Sequence, residues 1–502
     1  MQNDANHRQL PSLSLGISNF SKLRRGNKIY VDKTAFVYKL AREEGFYFLS
    51  RPRRFGKSLL VSTFESLFKD GLKDFTGLAI EKVWSDTTYP VIHLDFTECR
   101  IFSSFGEFKQ SFDLMLRKAV YDAGFALPSF DEQAGLTTVP SLFEEFLKRQ
   151  TKPTVILIDE YDAPLNQTLN NKDLFDLVEN ELFKFFDILK RRSSDLRFLF
   201  ITGISKYKNL GIFSGANFVD DLSLYTDFGT LLGYTEDEVK QYFFPYLEKA
   251  AHTLNLSPEA CLSRMKKFYD GYCFDENAAT HVFTPWSTMN FLQKPQRGFQ
   301  NYWYDSAGTP SVLLNYLKDH SLKDPRAYGH DIVVNLDMLK SYKQVNKLQD
   351  EAVLFQTGYL SIKKRLGPKM LVLNYPDEEI SDSMSSLYAE SITDETQRSK
   401  LYTSIINDRP PELIKSLNAV LLAIPYQKYP IDNEYALQAV LAVVIKACGF
   451  AVIAEHINAL GRSDLEINAV RRYLVLELKF ARNDEQASHL LEEAKKQMRK
   501  HL

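Results

Sequence analysis

Cysteine is scarce in this chain of 502 residues, and no two cysteines form a C-x-x-C pair. No histidines accompany them at the spacing of zinc ligands. These absences exclude a disulfide framework and a small structural zinc site, and they predict reduced thiols in the core of an intracellular protein. The four cysteines are Cys99, Cys261, Cys273 and Cys448.

Neither sign of charge is in excess, since 62 lysines and arginines face 64 aspartates and glutamates, for a net charge of -2. This balance excludes a strongly basic nucleic-acid-binding protein, although a local basic patch stays open. Hydrophobic residues make up 44% of the chain and charged residues 25%. The composition is therefore that of a globular protein and not of a disordered one.

Long hydrophobic runs are also missing, and the polar N-terminus carries no signal-peptide pattern. The longest apolar stretch, residues 435–454, is interrupted by Gln438, Lys446 and Gly449. It predicts a helix that ends near Gly449 and then a strand, and not a membrane span. We expect a cytoplasmic protein with no membrane partner.

The clearest pattern present is FYFLSRPRRFGKSLL, residues 46–60. Its first four residues predict a strand buried in a parallel sheet, and the apolar spacing from Leu59 onwards predicts a helix. Between them, a glycine admits the backbone close to a phosphate, a lysine reaches the terminal phosphates, and a serine hydroxyl can bind Mg2+. The expected contacts of this phosphate-binding loop are Arg53, Arg54, Phe55, Gly56, Lys57, Ser58 and Leu59.

The front of this loop departs from the usual pattern. The spacing G-x-x-x-x-G-K-S asks for a glycine at position 51, where this chain has Arg51. One alternative is a basic surface turn that only caps a helix. The buried strand before the loop and the amphipathic helix after it favour the phosphate site.

A second buried strand is predicted at the start of TVILIDEYDAP, residues 154–164, and it ends in Asp159 and Glu160. Two carboxylates at the end of a buried strand are costly unless a cation lies beside them. We expect Asp159 to orient the water shell of Mg2+ and Glu160 to polarise the attacking water, as hydrolysis of a phosphoanhydride requires. Asp162 could serve the metal or cap the next helix.

Two further apolar runs predict strands whose polar ends reach the same edge of the sheet. PVIHLDF, residues 90–96, leads to Asp95 and Thr97, and RFLFI, residues 197–201, leads to Thr202. We expect Thr202 to sense the terminal phosphate of a nucleotide, with a structural turn as the alternative.

The pattern becomes helical from Thr235 to about Tyr342, with acidic residues at the predicted helix start. Aromatic residues are frequent in this region. They could form a stacking surface for bases, and the favoured alternative is a core between helices. The cluster comprises Tyr269, Tyr272, Phe274, Trp286, Tyr302, Trp303 and Tyr304.

A second set of chemical residues lies near the C-terminus, where Asp464 opens one predicted strand and YLVLELKF, residues 473–480, forms the next. Glu477 and Lys479 are two residues apart and would share one face of that strand. Asp464 and Glu477 could hold Mg2+ or Mn2+ while Lys479 stabilises developing charge, with Glu455 and Glu434 as auxiliary ligands. The alternative is a cross-strand ion pair.

Several of these segments together resemble one family. They are FLSRPRRFGKS, YPVIHLDF, ILIDEYDAP, TGISKYKNLGIFSGANFVDDLSL, FYDGYCF, LFQTGYLSIK, GRSDLEI and LELKF. In these segments the chain resembles bacterial AAA-ATPase-like proteins that carry a C-terminal PD-(D/E)XK nuclease-like domain. The resemblance implies that ATP is the nucleotide and that an arginine-rich loop without the first glycine is the normal form.

The sequence and this resemblance predict an α/β protein in four segments. Residues 1–232 would form a P-loop, AAA-like ATPase domain with a parallel sheet, 233–345 a helical lid or winged-helix-like region, 346–425 a connecting α/β region, and 426–502 a restriction-endonuclease-like domain. The expected function is an ATPase whose nucleotide state controls metal-dependent cleavage of DNA, with defence against foreign DNA as one setting. The alternatives are a nucleotide-dependent switch or scaffold that binds nucleic acid or protein without cleavage, and slow ATP turnover that serves assembly of a homo-oligomer.

Overall fold

The computed structural model describes residues 10–207, 218–303, 330–340, 350–424, 430–458, 461–469 and 472–501. The chain divides into two compact units. The first comprises Met1–His320 and Val333–Asp377, and the second comprises Ser321–Ile332 and Glu378–Leu502. The finer division into four segments stays a prediction.

The first unit is built on a five-stranded parallel sheet in the order β2-β3-β4-β1-β5. This sheet confirms the α/β architecture expected of a P-loop nucleotide-binding domain. Its strands are β1 (Gly45–Ser50), β2 (Val91–Asp95), β3 (Thr154–Asp159), β4 (Leu196–Gly203) and β5 (Asp220–Asp221).

The middle strands are apolar throughout because both of their faces are covered. Every residue of β3 and of β4 is buried, as expected for parallel strands with helices on both sides. The helices of this unit that precede β5 are α1 (Phe20–Arg25), α2 (Thr34–Ala41), α3 (Lys57–Asp70), α4 (Phe105–Asp122), α5 (Val139–Lys148), α6 (Ala163–Thr168) and α7 (Lys172–Arg191).

The strand ends explain where a ligand would bind. Ser50 pairs in register with Gly203, and Asp95 pairs with Asp159, so the ends of β1, β2, β3 and β4 meet at one edge of the sheet. Strand β1 has neighbours that are far from it in sequence, and such reversals of strand order create a crevice at the carboxyl ends. The loop after β1 opens onto this crevice.

The region after β5 is mainly helical, as predicted, and its described part also has one two-stranded and one three-stranded sheet. Thr235 and Glu238 form a reciprocal capping box at the start of α8, which explains the acidic signal there. The elements are α8 (Glu236–Thr253), α9 (Pro258–Tyr269), β6 (Asp270–Tyr272), β7 (Val282–Phe283), α10 (Pro285–Gln293), β8 (Ile332–Asn335), α11 (Leu336–Lys340), α12 (Asp350–Thr357), β9 (Ser361–Gly367) and β10 (Met370–Asn374).

The aromatic cluster of this region is core for the most part, which confirms the favoured interpretation. Its buried members are Tyr269, Tyr272, Phe274, Tyr302 and Trp303. Trp286 is only half-buried, and Tyr304 lies outside the described residues.

The second unit packs helices against a small antiparallel sheet in the order β11-β12-β13. Its core joins the apolar face of the helix that starts at Glu434 to Leu465 and Ile467 of the sheet. Its elements are α13 (Glu378–Ile392), α14 (Glu395–Ile406), α15 (Pro410–Ala423), α16 (Glu434–Ala447), β11 (Ala451–Asn458), β12 (Gly461–Asn468), β13 (Tyr473–Leu476) and α17 (Asp484–His501).

The last of these strands is shorter than predicted. Strand β13 ends at Leu476, which pairs with Leu465, and not at Phe480. The reason is that the amide of Leu478 donates to the Asp464 carboxylate at 2.7 Å and not to a strand carbonyl. The expectation that Glu477 and Lys479 belong to that strand is therefore wrong, although their side chains contact each other at 2.9 Å and Lys479 stays close to Asp464.

Among the described residues, no helix combines the length and the hydrophobicity needed to cross a membrane.

A substitution at Gly358 would test how tightly the first unit is packed around the loop after β1. Its φ is +93°, and a Cβ added there would lie 2.7 Å from a side-chain carbon of Pro52. Gly77 is the matched control, with a φ of +79° and no neighbouring atom within 4 Å. We expect Gly77→Ala to cost about 1 kcal/mol of stability from backbone strain and Gly358→Ala at least about 2 kcal/mol more from the clash. Equal falls in the thermal unfolding midpoint would contradict the packing of Gly358 on Pro52.

Candidate functional site

Helix α3 begins directly after the loop, and its start is open to an anion. Gly56 precedes the helix with a φ of 97°, a left-handed conformation that favours glycine, and no side chain caps the first turn. The N–H groups of that turn have no partner within the helix, and the helix dipole favours negative charge there. The geometry is that of a phosphate-binding helix start.

Lys57 lies between the loop and the end of β3. Its side chain is only 4% exposed, and its ammonium donates to the carbonyls of Arg51 and Pro52 at 3.1 and 3.3 Å. The same Nζ is 3.3 Å from Oε1 of Glu160. Lys57, which is predicted to bind phosphate, and Glu160, which is predicted to polarise the attacking water, therefore lie in contact.

Arg51, which replaces the expected glycine, points into the protein. Its guanidinium donates to the carbonyls of Ser50 and Ser223 at 2.9 and 2.7 Å and lies over the ring of Phe274 at 4.2 Å. Burial lowers the pKa of Arg51 to about 9, so the group stays cationic at neutral pH. Arg51 thus anchors the loop from inside.

The rest of the loop is held by residues from beyond the parallel sheet. The indole Nε1 of Trp303 donates to the Arg53 carbonyl at 3.1 Å. Phe55 is buried with its ring 4.9 Å from that of Tyr272. The loop conformation therefore depends on the mainly helical region.

Asp159 is the last residue of β3, and hydrogen bonds fix the orientation of its buried carboxylate. Its Oδ1 accepts a short hydrogen bond from the Thr202 hydroxyl and another from the Glu160 amide at 3.1 Å. Thr202 is fully buried behind Asp159 and is not among the side chains that line the cavity described below. Direct contact of Thr202 with a phosphate stays a prediction, whereas its contact with Asp159 is a feature of the structure.

Glu160 is held in an unusual backbone conformation. Its φ is +51°, which costs free energy in a residue other than glycine and is found most often at functional sites. Burial raises the pKa of Glu160, and the neighbouring Lys57 ammonium only partly opposes this effect. The carboxylates of Asp162 and Asp159 raise it further.

Asp162 does not cap a helix, which was one of its two predicted roles. Its oxygens accept hydrogen bonds from the amide of Ser205 at 2.8 Å and from the side chain of Asn166 at 2.7 Å, and both oxygens face the amide of Ile204. Burial is the main cause that raises the pKa of Asp162. The residue ties β4 to the turn after β3.

These groups surround a cavity of about 680 Å³, a volume in the range of small-molecule sites. It is lined by every predicted nucleotide contact from Arg53 to Leu59, by Asp159 and Glu160, and by Asp95 and Thr97. The sequence pattern indicated the polar strand ends, because they follow apolar runs. It gave no signal for the lining side chains Lys33 and Arg100, whereas Trp286, which also lines the cavity, belongs to the aromatic cluster with stacking on bases as one interpretation.

The C-terminal cluster is assembled in the second unit around one ammonium group. Nζ of Lys479 is 2.9 Å from Glu477, 3.5 Å from Glu434 and 3.8 Å from Asp464. Burial lowers the pKa of Lys479, but the three carboxylates outweigh burial and raise it above its ordinary value. The side chain of Glu455 lies outside the described part of the structure.

A divalent metal needs several oxygen, nitrogen or sulfur ligands in one place. Within the described ranges, no three acidic, histidine or cysteine side chains form a ready metal site. Oε2 of Glu477 is nevertheless buried without a hydrogen-bond partner. Carboxylate oxygens are the ligands that Mg2+ and Mn2+ prefer, and a metal at this cluster stays a prediction.

Comparison with known proteins gives a family match that lies within the first unit. Residues 14–213 match the family model of predicted AAA-ATPases. A curated relative, the uncharacterized protein in vnfD 5'region of Azotobacter chroococcum mcd 1, is 29% identical over 480 residues, which cover 91% of this chain and 86% of that protein. The family match supports nucleotide binding and hydrolysis by the first unit, and it does not reach the C-terminal cluster.

The raised pKa of Glu160 predicts a stabilising substitution. The folded protein keeps a proton on Glu160 to higher pH than the unfolded chain, whose ordinary value is 4.5, so stability falls as pH rises through the window above that value. We expect Glu160→Gln to raise the thermal unfolding midpoint at pH 7.5, with a gain that shrinks as the pH is lowered towards 4.5.

Glu145 provides the control for this measurement. Its hydrogen bond with Arg149 lowers its pKa, so Glu145→Gln should give no gain at pH 7.5. A lower midpoint for Glu160→Gln than for the wild type would show that the ion pair with Lys57 outweighs the cost of burial.

Proposed function

We propose that the first unit, with its match to predicted AAA-ATPases as the premise, binds ATP with Mg2+ and hydrolyses it to ADP and phosphate. The observation that carries the proposal is the meeting of Lys57 and Glu160 at 3.3 Å at the edge of the cavity where α3 begins. A cationic group for phosphate and a carboxylate for water stand side by side there.

Each part of the site has a task in this reaction. The amides that follow Gly56 and the ammonium of Lys57 bind the phosphates. The Ser58 hydroxyl and the buried Asp159 carboxylate, both lining the cavity, would hold Mg2+, which when bound neutralises charge on the phosphate oxygens. Thr202 keeps Asp159 in position through its hydrogen bond.

Glu160 supplies the general base. Its carboxylate orients water for attack on the terminal phosphorus and accepts the proton that the water loses. A nucleotide would draw the Lys57 ammonium towards the phosphates and so separate it from Glu160. The remaining loop residues Arg53, Arg54, Phe55 and Leu59 line the cavity and are proposed contacts of the nucleotide.

Two substitutions distinguish ATP binding from ATP hydrolysis. Lys57→Ala should abolish detectable phosphate release and weaken ATP binding, because it removes the charge at the phosphates. Glu160→Gln should still bind ATP but lower the rate of hydrolysis by about 100-fold or more, the usual contribution of a general base.

Phosphate release and calorimetric binding of ATP measure the two effects in the full chain. Lys148→Ala, on the exposed side of α5, is the matched control and should behave as the wild type. Unchanged hydrolysis in Lys57→Ala would refute the assignment of the site.

For the second unit we propose a metal-dependent nuclease-like site that acts on DNA under the control of the nucleotide state, with defence against foreign DNA as its setting. The supporting observation is the convergence of Glu434, Asp464 and Glu477 on Lys479, with one buried oxygen of Glu477 unpartnered. Asp464 and Glu477 would hold the metal with Glu434 and Glu455 beside them, and Lys479 would stabilise charge on the scissile phosphate.

Metal binding is the sharpest test of this second site. Titration of the full chain with Mn2+, followed by calorimetry, should detect a site that Asp464→Ala and Glu477→Ala weaken by about tenfold or more. Plasmid DNA should be nicked by the wild type and not by Asp464→Ala. Glu492→Ala, on the surface of α17, is the control.

Each negative result favours a specific alternative. Unchanged Mn2+ affinity in the Asp464 and Glu477 variants would favour a switch or scaffold that binds nucleic acid or protein without cleavage. Self-association on sizing chromatography only with ATP would favour turnover that serves assembly of a homo-oligomer.

A further inference from the structure

One aromatic side chain faces the nucleotide cavity from the mainly helical region. We propose that the purine base of the bound nucleotide stacks on the indole of Trp286. This inference rests on the proposed ATP site and adds the position of the base, which neither the phosphate loop nor the carboxylates determine.

The indole is held in place independently of any ligand. Trp286 lies in the first turn of α10, and its Nε1 donates to the Tyr302 carbonyl at 3.1 Å. One side of the ring packs on the hydrophobic core of α8 and α9. The side chain is nevertheless half-buried and lines the cavity, unlike the fully buried Trp303. A fixed ring with an accessible face loses little entropy when a base stacks on it.

The guanidinium of Arg54 shows that this face accepts a flat, delocalised group. It lies over the ring with its central carbon 4.4 Å from the ring centre. Arg54 is itself exposed, and the proposal requires its guanidinium to move off the ring. The base would take the position that the guanidinium occupies.

The phosphate-binding helix start is within reach of this face. Arg54 is two residues before Gly56, so the two backbones are at most about 7 Å apart. A nucleotide whose phosphates lie on the amides after Gly56 can therefore place its base on a ring that Arg54 already touches.

The wall around Trp286 suits a base and not a phosphate. Ile29, Val31 and Met289 line the cavity and belong to the same hydrophobic cluster as Trp286. Lys33, which also lines the cavity, is already bound by Glu238 at 2.7 Å and by the Thr230 carbonyl at 2.8 Å. Apolar surface is therefore available beside Trp286, while Lys57 and the helix start provide the groups that bind the phosphates.

Intrinsic fluorescence can report on this contact because the chain has three tryptophans. ATP with Mg2+ should quench the emission of the wild type and of Trp84→Phe, whose indole lies in the core beside Phe68. The quenching should be lost in Trp286→Phe, although this variant keeps a ring and should still bind ATP. Inorganic triphosphate, which has no base, should bind without quenching by this route.

Affinity gives the second readout, by calorimetry on the full chain. Trp286→Leu should weaken ATP binding about tenfold, the scale of base–aromatic stacking, while binding of inorganic triphosphate changes less than about twofold. Retained triphosphate binding also demonstrates that the variant is folded. Trp286→Tyr should restore most of the ATP affinity.

The outcomes separate the two proposals. Equal ATP affinity in Trp286→Leu and the wild type would overturn the base position and leave the ATPase proposal standing. Failure of the wild type to bind either ATP or inorganic triphosphate would overturn both.

Discussion

The first unit depends on a buried ammonium group. Lys57 is nearly inaccessible to solvent, and its charge is balanced by two loop carbonyls and by Glu160 at 3.3 Å. An ion pair in such surroundings is strong in Coulomb energy but costly in desolvation, so it persists only where both partners are held by the fold. The parallel sheet does this, because β1, which leads into the loop before Lys57, and β3, which Glu160 follows, end at the same edge. An arriving phosphate offers Lys57 a better partner and leaves Glu160 for water.

Arg51 changes how the phosphate loop is stabilised. A glycine at that position would give the loop freedom, whereas the buried guanidinium ties it to the Ser223 carbonyl and to the face of Phe274. The indole of Trp303 adds a second tie at Arg53. The mainly helical region thus stabilises the loop as much as the sheet does. A shift in that region would change the position of the loop at the nucleotide site through these contacts.

Much of this architecture could be predicted from local pattern. The apolar runs of β1 to β4 marked buried strands, and the polar residues that follow them marked the edge with Asp159 and Glu160. The features that the local pattern did not predict depend on contacts with residues that are distant in sequence. The inward direction of Arg51, the exposed face of Trp286 and the short β13, where the Leu478 amide turns to Asp464, are each decided by residues far away in sequence. The C-terminal carboxylates were predicted to converge and do so, but around Lys479.

The strand order has a consequence for biosynthesis. Among the described residues, β1 pairs with β4 and β5 alone, both made much later, while β2 pairs with β3. Strand β1, which leads into the phosphate loop, therefore leaves the ribosome long before β4 and β5 are synthesised. Long-range parallel pairing of this kind is slow, and an unpaired hydrophobic strand invites aggregation. Nascent chains of this protein would accordingly need shielding of β1 until β4 has emerged.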